Sequence, residues 1–314
     1  MATGRALGLL AGIAADGLFG DPRRGHPVAG FGTLATGLER VIYRDGKARG
    51  AAHLAILGGA TVAAGVVVER LGRRSPVTQF LSTAVATWAV LGGASLAEQG
   101  TLIGRELDSG DIGAARDRLP SLCGRDPALL DQAGLSRAAV ESVAENTSDA
   151  VVAPLLWGAA FGVPGLLGYR AVNTLDAMIG YRSAKYARFG WASARLDDVL
   201  NLVPSRVTAV LTGLCAPVVG GSSGGAFRVW RRDARAHPSP NAGQAEAAFA
   251  GALEIRLGGR TRYRHGVEDR PVLGDGRTPD AGHVTRAVEL SRLVGGVAGV
   301  VAVLFAALAG RRRR

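Results

Sequence analysis

Three carboxylates spaced four residues apart are the groups in this chain best suited to chemistry. On an α-helix, Glu141, Glu145 and Asp149 would lie along one face. Like charges stacked in this way repel one another, so the face requires a metal or other cation, a basic partner or water against it. The almost wholly apolar run 150–167 follows directly, which places these carboxylates at the edge of a membrane or inside it. Ionisable groups are costly there, which indicates a functional site; a solvated helix end leading into a spanning helix is the alternative.

The apolar run is predicted to break in its middle. Pro164 stands between Gly162 and Gly165, and a proline inside a membrane segment interrupts the hydrogen-bond ladder of the helix. Freed backbone groups are tolerated at that depth only where they are buried in protein or line a cavity. The sequence therefore predicts a broken or re-entrant element. Such a turn would return Asn173 and Asp176 to the side of the membrane that holds the three carboxylates, whereas an unbroken span would separate the two polar groups.

Composition favours a membrane protein over a nucleic-acid-binding protein. The 314 residues are 47% hydrophobic and 20% charged, and their formal net charge is +11. A basic excess can mark nucleic-acid binding, but only 5% of the residues are aromatic and the sequence contains no RNA- or DNA-binding module signature. Basic residues beside apolar runs instead fit a membrane surface. The two cysteines, Cys123 and Cys215, provide neither a disulfide framework nor the spacing of a metal site.

Further apolar runs predict the helical framework. They cover residues 6–19, 51–68, 77–97, 207–227 and 293–310, and several approach the roughly 20 residues that cross a bilayer. The polar stretch 98–139 is predicted to be helical and outside the bilayer, with Ser136 as a candidate N-cap of the carboxylate helix. We therefore expect an all-α, polytopic integral membrane helical bundle with a broken or re-entrant helix, in which polar helical loops form the site. Residues 1–314 are assigned to a single membrane domain, and the terminal arginines 311–314 suggest a cytoplasmic end.

Four long motifs point to a family. They read GDPxxxHPV at 20–28, ExVAENTSDxxVxPLxWG at 141–158, YRAVNTLDAMIGYRxxxYxxFGWxxARLDDVLNxxPSR at 169–206 and SPNAG at 239–243. Together they resemble the CobD/CbiB family of cobalamin biosynthesis, the adenosylcobinamide-phosphate synthases, over most of the chain. The sequence departs from the family pattern at two places, which changes the contacts expected there but not the resemblance to the family. Gln244 stands where the family usually has an aromatic residue, and the family's Tyr-x-Gly is lengthened here to Tyr263-Arg264-His265-Gly266.

The resemblance implies a multi-pass enzyme of the cytoplasmic membrane that joins adenosylcobyric acid to aminopropanol phosphate or aminopropanol. Forming an amide from a carboxylate and an amine at neutral pH requires an activated carboxylate, which ATP can provide as an acyl phosphate; positioning and charge neutralisation then do most of the catalysis. ATP and Mg²⁺ are therefore the expected cofactors. The sequence contains no GxxxxGK[ST] motif, so ATP would bind without a P-loop.

Residues of the motifs can be assigned roles in that reaction. The expected catalytic groups are Glu141, Glu145, Asp149, Asn173 and Asp176. Mg²⁺ prefers oxygen and often takes only one or two protein carboxylates beside phosphate oxygens; its candidate ligands are Glu145, Asp149, Asp176, Asp197 and Asp198. Basic side chains can clamp phosphates or a substrate carboxylate, and amides can orient either substrate. The candidates for substrate or phosphate binding are His26, Asn146, Arg170, Tyr181, Arg182, Lys185, Arg195, Asn201, Arg206 and Asn241. For each of these residues the alternative is a structural contact.

Two other functions fit parts of the sequence. A non-enzymatic membrane sensor is one, because the AmpE signalling proteins look distantly similar to this family, although a sensor has no evident need for the complete set of carboxylates and amides. A transporter is the other, but the break at 162–165 has no second copy in the sequence, and transporters are commonly built from paired repeats of broken helices. The sequence leaves open which amine is used and whether a partner subunit or a second copy of the chain takes part. Nucleic acid is not expected as a partner.

Overall fold

Helices make up most of the chain in a computed structural model, which describes residues 2–22, 25–181, 183–263 and 266–309. The α-helices are α1 (Ala2–Phe19), α2 (Pro27–Ile42), α3 (Lys47–Gly72), α4 (Pro76–Val90), α5 (Gly93–Asp108), α6 (Ile112–Arg118), α7 (Gln132–Asn146), α8 (Ala153–Phe161), α9 (Val163–Ile179), α10 (Trp191–Leu200), α11 (Leu202–Cys215), α12 (Ser223–Asp233), α13 (Ala242–Leu253) and α14 (Ala281–Ala309). A π-helix covers Thr147–Val152, and 3₁₀ turns cover Leu119–Ser121, Pro127–Leu129, Ala216–Val219 and Ala234–Ala236. Strands β1 (Leu257–Tyr263) and β2 (Gly266–Leu273) form an antiparallel pair.

Membrane-spanning character is confirmed by the length and apolarity of the helices. Within the described residues, the stretches Lys47–Gly72, Pro76–Asp108, Leu202–Val219 and Ala281–Ala309 are long and apolar enough to cross a bilayer. The chain is an all-α, polytopic membrane protein, as predicted. The small sheet formed by β1 and β2 was not predicted.

Two compact units divide the chain, and each combines segments that are far apart in sequence. Unit 1 contains Met1–Gly92, Ala153–Asn201 and Ala298–Arg314, and unit 2 contains Gly93–Val152 and Leu202–Val297. Helix α14 therefore begins in unit 2 and ends in unit 1. The assignment of residues 1–314 to a single domain stays a prediction.

In unit 1, α1 packs against α4 through glycines one turn apart. A Cβ atom at Gly8 would lie 2.6 Å from Thr83 Cβ, and one at Gly12 would lie 2.4 Å from Thr87 Cβ. Any larger residue at these positions would push the helices apart. Close approach of backbones through small residues is a common way for helices to associate in membranes, where the hydrophobic effect does not drive them together.

The apolar helices α3 and α4 form a hairpin. The hydroxyl groups of α4 bond mainly within their own helix: Thr87 Oγ1 donates to Thr83 O at 2.8 Å, and Ser82 Oγ donates to Gln79 O at 3.3 Å. The predicted continuous run 77–97 is wrong in one respect, because α4 ends at Val90 and α5 starts at Gly93.

The predicted break in the apolar run is confirmed at Gly162, between α8 and α9. Its φ of 73° lies in the left-handed region, and a Cβ atom there would lie 2.5 Å from a carboxylate oxygen of Glu69. That carboxylate, on α3, accepts a hydrogen bond from Val163 N at 3.1 Å and so caps the start of α9. Its charge is balanced by Arg5 and Arg73. The backbone freed by the break is thus satisfied inside the protein, as the sequence required.

In unit 2, α13 is surrounded by protein on all sides. Every residue from Ala242 to Leu253 is buried. Ten of these positions are alanine, glycine or another apolar residue, so neighbouring helices can approach closely. At Gly251 a Cβ atom would lie 2.2 Å from the carbonyl oxygen of Gly225 on α12. The side chain of Glu246 is therefore carried into the interior by the helix itself.

The carboxylate helix differs from its prediction at both ends. Asp131 is the N-cap of α7, since its Oδ1 accepts from Gly134 N at 2.8 Å, while Ser136 is buried inside the helix, so the predicted Ser136 cap is wrong. After Asn146 the chain continues as the π-helix that contains Asp149. Because π-helical hydrogen bonds skip one more residue than α-helical ones, Asp149 is rotated away from the line of Glu141 and Glu145. The three carboxylates do not form one regular helical stripe.

Replacing Glu69 with Ala should destabilise unit 1 by about 3–5 kcal/mol, because it leaves the half-buried Arg5 without this partner and the start of α9 without its cap. Replacing Arg73, whose side chain is 48% exposed, with Ala should cost less than about 1 kcal/mol. Thermal unfolding of the two variants in the same detergent measures the difference. Equal losses would show that Glu69 does not hold the break.

Candidate functional site

Glu141 is a fully paired carboxylate in unit 2. It forms an ion pair with Arg125, and both side chains are buried. Its Oε1 also accepts a hydrogen bond from Gly258 N at 2.6 Å. With a guanidinium on one oxygen and a backbone N–H on the other, this carboxylate joins α7 to the start of β1. The predicted catalytic role of Glu141 stays a prediction.

The backbone that reaches Glu141 depends on glycine. The pairing of β1 with β2 shifts register between Leu257 and Gly259, and Gly258 in the bulge has a φ of 78°. A Cβ atom at Gly258 would lie 2.0 Å from Pro271 O on β2. Only glycine fits this conformation and this space, so the bulge turns the N–H of residue 258 towards the carboxylate.

Glu145, one turn beyond Glu141 on α7, is a carboxylate without a direct partner. Solvent reaches its side chain, and it forms no hydrogen bond or ion pair with the described residues. The surrounding protein is nevertheless dense enough to raise the pKa of Glu145 by loss of hydration; the positive charges of Arg270 and Arg125 oppose this shift. A carboxylate that is accessible yet poorly hydrated lies in a concave part of the surface.

Glu246 on α13 is the most buried carboxyl group of this cluster, at 1% exposure. Burial raises its pKa well above the ordinary carboxyl value, and the negative charges of Glu141 and Glu145 raise it further. The charges of Arg270 and Arg125 act in the opposite sense. Because burial dominates, Glu246 holds its proton at a pH where ordinary carboxyl groups are ionised.

His237 faces Glu246 from the segment before α13. Its Nε2 lies 3.7 Å from Glu246 Oε1, and both side chains are buried. Its Nδ1 lies 3.1 Å from Ser239 N and 3.3 Å from Ser239 O. The closer contact is the one in which Ser239 N–H donates to Nδ1, and it places the ring proton on Nε2. Nε2 has no hydrogen-bond partner among the described residues. Burial lowers the pKa of His237, and the nearby charge of Arg270 lowers it further, so the ring is neutral.

Two of the motif segments meet in unit 2. Asn241, which precedes α13, accepts hydrogen bonds through Oδ1 from Arg206 Nη1 at 3.1 Å and from Ser205 Oγ at 3.2 Å. The start of α13 is capped instead by Ser239, whose Oγ accepts from Ala242 N at 3.1 Å. The structure therefore brings together Arg206 and Asn241, two residues predicted separately as substrate ligands.

In unit 1 a hydrogen-bonded network joins α9 to α10. Asp197 accepts from Asn173 Nδ2 at 3.3 Å and from Asn201 Nδ2 at 3.0 Å. Tyr169 donates through its hydroxyl to Asn201 Oδ1 at 2.9 Å, and Arg170 Nη1 lies 3.5 Å from Asn173 Oδ1. Asn173, Asp197, Asn201 and Arg170 were all predicted as site residues, and one network contains them.

Two further carboxylates flank this network. Asp176 follows Asn173 by one helical turn on α9 and is half-buried, and a Cβ atom at Gly180 would lie 1.7 Å from Asp176 Oδ1, so the carboxylate occupies the space that glycine leaves. Asp198 is half-buried on α10, where its Oδ2 lies 3.4 Å from Nη1 of the exposed Arg195. Three of the predicted magnesium ligands are thus carried on this pair of helices.

Some predicted ligands have structural partners. His26 is the N-cap of α2, where its Nδ1 accepts from Val28 N at 3.1 Å. Asn146 donates to Ser142 O in its own helix at 2.9 Å. These contacts leave each residue part of its hydrogen-bonding capacity, so their roles as ligands stay predictions.

Lys185 and Tyr181 lie in the segment before α10. Lys185 Nζ is 2.6 Å from Glu39 Oε1, and the hydrogen bonds that the lysine donates to Glu39 and Tyr186 raise its pKa. Tyr181 packs edge-on against Tyr186, with ring centroids 5.3 Å apart. Arg182, between them in sequence, lies outside the described residues, as do the terminal arginines 311–314.

The predicted site residues therefore fall into two sets. Unit 1 contains Asp176 with the network around Asp197, and unit 2 contains Glu145, the half-buried Asp149 and the pair Arg206 and Asn241. The prediction that Glu145 and Asp176 lie in one shared site stays a prediction.

Sequence reasoning missed His237, Arg125, Tyr169 and Glu246. A signal was present for Glu246, since a single carboxylate lies within a helix of alanine, glycine and other apolar residues. For Arg125 no local pattern marks the residue, because its partner Glu141 is brought to it by the tertiary fold.

The donor groups near Asp197 suit Mg²⁺ in their chemistry, because they are carboxylate and amide oxygens. No group of three or more His, Cys, Asp and Glu side chains within the described ranges is arranged to hold a metal ion. Mg²⁺ often binds proteins through only one or two carboxylates together with substrate phosphates, so binding of Mg²⁺ by Asp176, Asp197 or Asp198 stays a prediction.

The helices and the two polar clusters define a polytopic membrane protein with carboxylates and amides held inside its helical units. A family profile described as "CobD/Cbib protein" matches residues 9–291. The chain therefore belongs to the CobD/CbiB family of cobalamin biosynthesis proteins.

Curated relatives agree with this assignment over nearly the full length. The chain is 60% identical over 302 residues to "Cobalamin biosynthesis protein CobD" of Mycobacterium tuberculosis, covering 96% of each chain. It is 41% identical over 294 residues to the protein of the same name from Chromobacterium violaceum, covering 91% of each. No solved structure matches the chain.

Replacing Glu246 with Gln should reduce the stability that the folded protein loses as the pH rises from about 5 to about 8. Because the pKa of Glu246 is higher in the folded than in the unfolded chain, its contribution is present below the ordinary carboxyl pKa of about 4.3 and is lost as pH rises towards the folded pKa. When the pH is raised from about 5 to about 8, we expect the wild type to lose more unfolding free energy than the variant, by about 1 kcal/mol or more.

Thermal unfolding in detergent at both pH values measures this change. Glu254→Gln, at the exposed end of the same helix, is the matched control and should follow the wild type. A parallel pH dependence of Glu246→Gln and wild type would contradict the burial of a protonated carboxyl group.

Proposed function

We propose that this protein is an adenosylcobinamide-phosphate synthase, which joins the carboxylate of adenosylcobyric acid to the amine of aminopropanol phosphate or aminopropanol in an ATP-dependent ligation. Membership of the cobalamin biosynthesis family supports the pathway. The observation that carries the chemistry is Asp197 in unit 1, which is held between the amides of Asn173 and Asn201, with Arg170 on the other side of the Asn173 amide.

The reaction balances in two steps. A carboxylate oxygen of the corrinoid acid attacks the γ-phosphorus of ATP, which gives an acyl phosphate and ADP. The neutral amine then attacks the acyl carbon, phosphate leaves with the C–O bonding pair, and the proton of the amine passes to a base. Both steps depend chiefly on position and charge neutralisation, so ordered carboxylates, amides and guanidinium groups are the parts required.

The network of α9 and α10 fits the phosphate-transfer half of this reaction. Asp197 is fixed by Asn173 and Asn201, which leaves its orientation little freedom. Asp176 and Asp197 would hold Mg²⁺ together with substrate phosphates, and Arg170 would contact a phosphate oxygen. When bound, Mg²⁺ supplies neutralisation of the phosphate charge.

The membrane setting follows from the spanning helices, and we assign the protein to the cytoplasmic membrane, where ATP and the corrinoid substrate are available. A homo-oligomer or a partner subunit remains part of the proposal and not of the structure. Between the enzyme and the AmpE-like signalling alternative, the relatives' name as cobalamin biosynthesis proteins favours the enzyme.

Asp197→Asn should lower kcat for amide formation by about 100-fold or more, because it removes a charge positioned for the phosphoryl groups and leaves the shape unchanged. The assay follows ADP and the amide product from adenosylcobyric acid, ATP, Mg²⁺ and aminopropanol phosphate with purified protein in detergent. Asp45→Asn, an exposed carboxylate of the same unit, is the control and should keep full activity. Full activity of Asp197→Asn would show that Asp197 is not part of the phosphate site.

A host strain lacking its own relative of this protein should grow without added corrinoid only when this chain is expressed. Growth on supplied cobinamide, but not on adenosylcobyric acid, is the expected phenotype of the empty strain. Failure of the chain to restore growth, despite its presence in the membrane, would contradict the proposed step.

A further inference from the structure

Within the described residues, some polar groups of unit 2 remain without hydrogen bonds after Glu141 has been satisfied. Glu145 and Glu246 form no hydrogen bonds with the described residues, and His237 Nε2 has none either. The His237 side chain is 3% exposed and the Glu246 side chain 2%. Buried polar groups in folded proteins are almost always hydrogen-bonded, so the unsatisfied Nε2 of His237 beside the buried Glu246 indicates a ligand.

Different elements bring these groups together. Glu145 comes from the last turn of α7, Glu246 from the interior of α13, and His237 from the segment that follows the 3₁₀ turn Ala234–Ala236. His237 is fixed by the hydrogen bond from Ser239 N to its Nδ1, which directs Nε2–H towards Glu246 at 3.7 Å. Glu145 provides the accessible end of the cluster and Glu246 the buried end.

The charges of the cluster are unequal. Its carboxyl groups are Glu141, Glu145 and Glu246, and the guanidinium groups that act on them are Arg125 and Arg270. Arg125 is committed to Glu141. Glu246 keeps its proton until a cation binds; loss of that proton then adds one negative charge, which a single monovalent cation balances.

From these observations we infer that Glu145, Glu246 and His237 bind the vicinal amino-alcohol group of the amine substrate, with the carboxylates accepting from its ammonium and His237 Nε2–H donating to the oxygen on the adjacent carbon. The inference rests on the proposed function, which supplies an amine of this class. An ammonium group offers three N–H donors and fits two carboxylates. A neutral imidazole N–H is a donor and cannot bind the ammonium, so it selects the neighbouring hydroxyl or phosphate-ester oxygen.

The site also explains how the amine is prepared for attack. The ammonium must lose a proton before nitrogen can bond to the acyl carbon, and a carboxylate in contact with it is placed to accept that proton. The N–H bond breaks, the carboxylate becomes a carboxylic acid, and the nitrogen lone pair is freed. No further reactant is required.

The test measures binding of 1-amino-2-propanol, its O-phosphate and propylamine to the purified full chain in detergent, without ATP, and then KM for each substrate. Glu145→Gln and Glu246→Gln should each weaken binding of all three amines, and raise their KM, by about tenfold or more, the value of one charge-assisted hydrogen bond. KM for ATP and adenosylcobyric acid should change less than about twofold. Glu254→Gln is the control and should match the wild type.

His237→Asn separates the two halves of the site. Asn retains an acceptor for Ser239 N–H but lacks the donor at Nε2, so affinity for 1-amino-2-propanol should fall by about fivefold or more while affinity for propylamine, which has no oxygen, stays unchanged. This variant also tests the inference if Glu246→Gln does not fold, as judged by its thermal unfolding.

Several outcomes would overturn the inference. Unchanged amine KM in both glutamine variants of an active enzyme would overturn it while leaving the proposed function intact. So would binding of Mg²⁺ alone that is lost in these variants while amine binding is retained. Absence of any ligation by the wild type, with amine binding still weakened by the variants, would instead sink the proposed function and keep the amine site.

Discussion

A carboxylate withdrawn from water must be met by a cation and by N–H donors, and each unit of this membrane protein contains one that meets this condition in full. Glu69 in unit 1 receives Arg5, Arg73 and the N–H of Val163. Glu141 in unit 2 receives Arg125 and the N–H of Gly258. In both cases the partners come from distant parts of the sequence, so a buried charge fixes the mutual position of segments that hydrophobic contact alone would leave free to slide.

The carboxyl groups that lack such compensation are of a different kind. Glu246 is carried inward by a helix that is buried along its whole length, and Glu145 lies at the accessible end of the same cluster. Paired carboxylates stabilise the fold, whereas unpaired ones are retained at a cost to stability and are available for a ligand. The amides around Asp197 form an intermediate case, since they orient a carboxylate without neutralising it.

Features of the fold and of the site could be predicted from the sequence only where they depend on residues close together in the chain. The break at Gly162 was predictable because glycine and proline act on their own backbone. The network of Asn173 with Asp197 was anticipated as a set of candidates, but its pairing required the packing of α9 on α10. The π-helix at Thr147–Val152 and the bulge at Gly258 were missed, because neither has a residue pattern distinct from ordinary apolar or glycine-rich sequence. The prediction from helical periodicity therefore put Asp149 on the wrong helix face. Arg125 was missed because its partner Glu141 is distant in sequence and is brought to it only by the fold.

The close fit of α1 on α4 sets an order of events during biosynthesis. The surface formed by Gly8 and Gly12 is shaped for threonines of a helix that the ribosome produces only after α2 and α3. Until α4 has been made, the glycine face of α1 lacks the helix against which it packs. The amino-terminal helix therefore acquires this contact only when about the first third of the protein has been translated.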